Sequence, residues 1–133
     1  MALLSKDAIL AASDIPYEDV EVPEWGGTVR VRGLTGAERD AHEVKMAEAR
    51  RKGVALEVVL HNFRARLVVK CLIDEQGNRL FSDDDAKVLG EKSAPVIDRL
   101  FDVARRLSGM TGDAVEQGKD NSESDQNASS TSD

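Results

Sequence analysis

The chain has 133 residues, room for one domain with a modest core. Eighteen basic against 25 acidic side chains leave a formal charge of −7, which works against sequence-independent attraction to nucleic acid or to an anionic membrane surface. The single cysteine, Cys71, excludes an intrachain disulfide framework and a multi-cysteine zinc site, and no apolar run approaches the roughly 20 residues of a membrane span.

The first stretch, MALLSKDAILAASDIP (1–16), is apolar in patches, but Asp7 interrupts it and no basic region precedes it. It makes a poor secretory signal, so the expectation is a cytoplasmic protein. YEDVEV (17–22) and TVRVR (28–32) then alternate apolar and polar residues, the period of a half-buried strand. Val20 and Val22 share one face of the first strand, and Val29 and Val31 share one face of the second. Between them PEWGG supplies a proline that ends a strand and a glycine pair that tolerates positive φ. This predicts a β-hairpin. A hairpin alone is marginal in water, so the helices that follow must cover its valine face.

Thr35 and Glu38 have the spacing of a capping box and predict a helix over about 36–51, with Gly53 just past its end. That helix is very polar, and Ala37, Ala41, Val44 and Ala47 or Ala49 give it only a thin stripe of small residues. Residues 54–73 place Leu56, Leu60, Phe63, Leu67 and Cys71 at helical spacing, with Val59 beside them. They predict the main core helix. DEQGNRLF (74–81) reads as a turn at Gly77-Asn78 that closes a tiny second hairpin. Ser82 with Asp83, Asp84 and Asp85 predicts the capped start of a short helix that Gly90 stops. Ser93 caps a last helix that tolerates Pro95 in its first turn and carries Ile97, Leu100, Phe101, Ala104 and Leu107 as an apolar stripe.

Composition changes near residue 110. Residues 111–133 hold six acids, one base and five serines, and nothing apolar larger than alanine after Val115. Such a segment cannot bury enough surface to offset its ordering entropy. The expected organisation is a domain over 1–110 and a disordered acidic tail over 111–133. The fold class is α+β, mostly α, with a small N-terminal hairpin packed on three to four helices.

Chemistry-bearing residues are sparse. His42 and His61 fall on different predicted helices without the spacing of a helical metal pair, and read as solvated or structural. Cys71 shares the core stripe and reads as a small buried hydrophobe. The run SDDD (82–85) lacks the ligand spacing of a calcium loop, so capping accounts for it better. The glycines around Trp25 and Thr35 form no phosphate-binding loop. Neither catalytic residues, nor a cofactor site, nor a metal site is predicted, and the chain is not expected to be an enzyme. Trp25, the one tryptophan, has two readings: it folds back over the core, or it stands exposed as an aromatic anchor for a partner. The polar helix divides similarly, into a solvated face or a partner contact centred on Ala41 and Val44.

DIPYEDVEVPEWGGTVRVRGLTGAERD (14–40) resembles the N-terminal signature of tail assembly chaperones of long-tailed bacteriophages with non-contractile tails. CLIDEQGNRLFSDDDAKVLGEKSAPVIDRLFDVARRLSG (71–109) is similar to that family's C-terminal half. The resemblance implies a helper in the host cytoplasm, absent from the mature virion, that binds the tape measure protein and keeps it soluble while tail tube subunits polymerise around it. Major tail protein and further copies of the chain are secondary partners; nucleic acid and membrane are not. The runner-up role is a structural head–tail or tail component of the virion. The family also implies a programmed −1 frameshift that adds a C-terminal extension. Gln117, Gly118 and Lys119 can be encoded as CAG GGA AAA, which contains the slippery heptamer G GGA AAA.

Overall fold

The computed structural model describes residues 2–55 and 62–110. A short helix α1 (Lys6–Ala11) opens the chain, started by Ser5, whose Oγ accepts from the Ala8 amide at 3.1 Å. Every residue of α1 is exposed. No buried apolar face marks this helix in the sequence; the local cap alone does.

Strands β1 (Tyr17–Val22) and β2 (Gly27–Arg32) form the expected hairpin, antiparallel, with Val20 opposite Val29 and Val22 opposite Gly27. A single 3-10 turn, Pro23–Trp25, joins them, and Gly26 leaves it at φ +80°. That left-handed conformation is where glycine costs least. The alternation places Val20, Val22 and Val31 in the core.

Helix α2 (Gly36–Arg51) starts on the predicted box: Glu38 N donates to Thr35 Oγ1 at 3.1 Å, and Thr35 N donates to Glu38 Oε1 at 2.9 Å. Its inward face differs from the expected one. His42 and Met46 are buried and Ala49 is half-buried, whereas Ala37, Ala41, Val44 and Ala47 face solvent. The rotation follows from anchors outside the helix: Arg39 donates to the Ser108 carbonyl at 3.4 Å, and the His42 ring sits 6.0 Å from that of Phe63. A stripe of alanines exerts too little burial energy to override them.

The predicted helix over 54–73 is not continuous: Val54 and Ala55 are not helical, Asn62 stands in the left-handed conformation at φ 56° just before the helix, and the helix stops at Cys71. Helix α3 (Phe63–Cys71) buries Phe63, Ala65, Leu67, Val68, Val69 and Cys71, and then the chain straightens into strand β3 (Leu72–Ile73). β3 pairs with the free side of β2, Arg30 with Ile73 and Val31 with Leu72, so the sheet has three strands in the order β1-β2-β3. An Ile73–Arg79 bridge closes the small turn expected at Gly77-Asn78. The correction has a simple cause. LVVKCLI is apolar but for Lys70, and a run buried on nearly every side carries no period to tell helix from strand. Leu56, Val59, Leu60 and His61 lie outside the described residues, as do residues 111–133 with Gln117, Gly118 and Lys119.

A 3-10 turn over Asp83–Asp85 leads into α4 (Ala86–Leu89), and Ser82 N donates to Asp85 Oδ2 at 2.9 Å. The acids sit at the positive end of this short helical segment, as expected. Helix α5 (Ala94–Leu107) follows, burying Val96, Ile97, Leu100, Phe101, Val103 and Ala104. Ser93 occupies the N-cap position, but its side chain makes no capping bond, contrary to expectation; Pro95 in the first turn removes one donor that would have needed a partner. α3 and α5 pack on one another beneath the sheet, the Phe63 and Phe101 rings 5.8 Å apart.

Candidate interaction surface

The candidate contacts lie on the surface, so the relevant geometry is what that surface offers and what fixes it. The hairpin tip is fixed firmly. Glu24 accepts two bonds from the Arg99 guanidinium of α5, at 3.1 and 2.7 Å, and this pairing holds its carboxyl well below the usual range, at about 2. Beside it Trp25 is half-buried and packs against the core. Its emission should therefore be blue-shifted in the folded chain and move to the red on unfolding. Emission already at the unfolded wavelength in native buffer would contradict that packing.

Ala41 and Val44 lie on the outward face of α2, with Val44 54% exposed. Trp25 and the α2 pair are thus two separate features, one turned inward and one outward. A third apolar feature was not anticipated. Leu3 (97% exposed), Leu4, Ile9 and Leu10 project from the N-terminal arm and α1. Large apolar side chains this exposed and this close in sequence suggest a surface that is covered in use.

Two clusters fix the inner framework. Arg32 clamps Glu38 with bonds of 2.7 and 3.0 Å and also donates to the Lys70 carbonyl at 2.8 Å, tying β2, α2 and α3 together. The Arg32 guanidinium, opposed by partial desolvation and aided by the Thr35 amide, lowers the Glu38 carboxyl to about 2. His42 is 4% exposed; desolvation first, then the nearby cations Lys70, Arg66 and Lys45, push its imidazole down from 6.5 to about 4. Cys71 is buried, and desolvation raises its thiol to about 12, which removes it as a nucleophile at neutral pH. Among the described residues no group of three or more His, Cys, Asp or Glu could hold a metal ion, and no helix is long and apolar enough to cross a membrane.

These shifts predict a two-stage loss of stability in acid. Unfolded His42 takes up its proton near 6.5 while the folded imidazole resists until about 4, so stability falls as pH drops through that window. Glu38 is depressed in the folded state, so its contribution is present above about 4.5 and is lost as pH falls toward 2. Urea midpoints measured from pH 7.5 to 3 should show both limbs, and His42→Gln should flatten the upper one. An upper limb unchanged in the variant would remove His42 as its source.

A three-stranded antiparallel sheet over a helix pair, a capped polar helix and a clamped hairpin tip define a small, mostly helical α+β domain. The model of the phage tail assembly chaperone family matches residues 5–127, and the chain belongs to that family. The solved tail assembly chaperone of bacteriophage HK97 has a similar fold, with a TM-score of 0.53 at 23% identity over 76% of this chain and 90% of that one. No curated relative matches.

Proposed function

We propose that this tail assembly chaperone binds the tape measure protein and keeps it soluble while the tail tube polymerises, acting in the host cytoplasm and staying out of the virion. Family membership carries the reading. The exposed apolar side chains of the N-terminal arm, with Val44 and Ala41 on α2, supply chemistry suited to an apolar helical client. The net charge of −7, much of it in residues 111–133, would keep such a complex in solution. A slip over Gln117, Gly118 and Lys119 would add a C-terminal extension after the last folded helix. The gene sequence tests it: a Gly118 codon other than GGA or GGG, or no overlapping −1 frame, eliminates the site.

Co-expression with a tape measure fragment should move that fragment from the pellet to the soluble fraction as a stable complex. Val44→Glu and Leu10→Glu, both at exposed positions, should reduce its recovery while leaving unfolding midpoints unchanged. Equal recovery with and without the chaperone would refute client binding. Mass spectrometry of purified virions separates this reading from that of a structural tail component, which would be present in stoichiometric amounts.

A further inference from the structure

Between α2, α3 and the Asp83–Asp85 turn lies a cavity of about 260 Å³ whose lining includes His42, Lys45, Arg66 and Lys70. His42 is the unusual member. It is more than nine-tenths buried, yet its Nε2 has no hydrogen-bond partner. A neutral imidazole keeps one N–H donor and one acceptor, and a buried polar group without a partner needs an explanation. The ring contact with Phe63 satisfies its carbon edge and does nothing for its nitrogens.

Charge around the cavity narrows what could fill the role. Asp83 is already engaged, with Lys70 at 2.9 Å and Arg79 at 2.8 Å. Lys45 and Arg66 are exposed at the rim, and among the described residues neither has an ion-pair or hydrogen-bond partner. Asp84 is the remaining acid of the lining. Two uncommitted cations therefore face one uncommitted acid, above a buried imidazole nitrogen that has no partner. A cation would meet net repulsion here, and an apolar group would leave the imidazole unpartnered. We infer that this cavity is a carboxylate-binding site, in which an Asp or Glu side chain accepts from the His42 imidazole and is flanked by Lys45 and Arg66. The site does not depend on the tape-measure reading.

Two sources can supply the carboxylate. The chain's own residues 111–133 carry six acids, and they begin three residues after Ser108, whose carbonyl accepts from Arg39, one turn of helix before His42. The alternative is an acidic side chain of another protein. The two are distinguished in the full chain by the His42 ring resonances, followed by NMR in sodium formate against sodium chloride at equal ionic strength. A second protein replaces all six acidic side chains of the tail by amides (Asp113→Asn, Glu116→Gln, Asp120→Asn, Glu123→Gln, Asp125→Asn, Asp133→Asn). If another molecule supplies the group, formate shifts His42 saturably in both proteins, chloride does not, and the titration midpoint rises from about 4. If the tail supplies it, the parent chain is unresponsive, and neutralising the tail lowers the midpoint and restores the response. Lys45→Met with Arg66→Met should abolish the response in either case, with the amide spectrum otherwise unchanged. His42 resonances indifferent to both formate and the tail substitutions would overturn the site and leave a water-filled cavity.

Discussion

Leu67→Ala should lower the free energy of unfolding by about 2–5 kcal/mol, the range for deleting a fully buried leucine side chain. Leu67 is 0% exposed on α3, the helix that packs on both α5 and β2. Its loss removes the transfer energy of three methyl and methylene-type carbons and leaves a void that neighbours such as Phe63 and Leu100 can fill only by leaving their own contacts. A domain of this size has a total stability of roughly 5–15 kcal/mol, so the variant would fall near the limit of folding at physiological temperature. The measurement is a urea midpoint at unchanged slope, so that a change in denatured-state compactness is not mistaken for a loss of packing. Val88→Ala, on α4 and 69% exposed, is the control and should stay within about 0.5 kcal/mol of the parent. Equal midpoints for the two variants would mean that α3 does not form the core.

What the sequence made legible, and what it hid, follows from where the information resides. The hairpin was readable because alternation is a local signal and Pro23, Gly26 and Gly27 mark its turn. The start of α2 was readable because a capping box is two side chains acting on one turn of backbone. The inward face of α2 was not, since it is set by Arg39 reaching Ser108 and by His42 meeting Phe63, partners 69 and 21 positions away in sequence. Likewise the change from α3 to β3 depends on the vacant edge of β2, which lies some 40 residues upstream. Trp25 and Val44 could be singled out as candidate contacts, but their opposite orientations could not. The His42 cavity left no trace in the chain order, because its lining comes from four elements that only the fold brings together.

The same dependence on distant backbone makes Gly33 the second critical position. A Cβ there would fall inside the van der Waals shell of the Leu107 carbonyl oxygen and 2.9 Å from its carbon. The obstacle is main chain at the end of α5, which cannot swing aside as a flexible side chain would. The seam is bonded on both sides: Gly33 N donates to the Pro16 carbonyl at 2.9 Å, and Leu34 N donates to Ser108 Oγ at 2.9 Å. Relieving the overlap must therefore stretch one of these bonds or lift the end of α5 off the sheet. Gly33→Ala should destabilise by about 1–3 kcal/mol, the range for forcing an extra carbon into a filled space. Gly36, three residues on, has open space around the same hypothetical atom and already sits in the first turn of α2. Gly36→Ala should stabilise by roughly 0.4–1 kcal/mol, since alanine restricts the unfolded chain and favours the helix. Thermal unfolding of the two variants beside the parent gives the comparison, with one midpoint moving down and the other up. If the Gly33→Ala midpoint failed to fall, the contact between Gly33 and the C-terminal end of α5 would not exist in solution, and the docking of the sheet on its last helix would have to be redrawn.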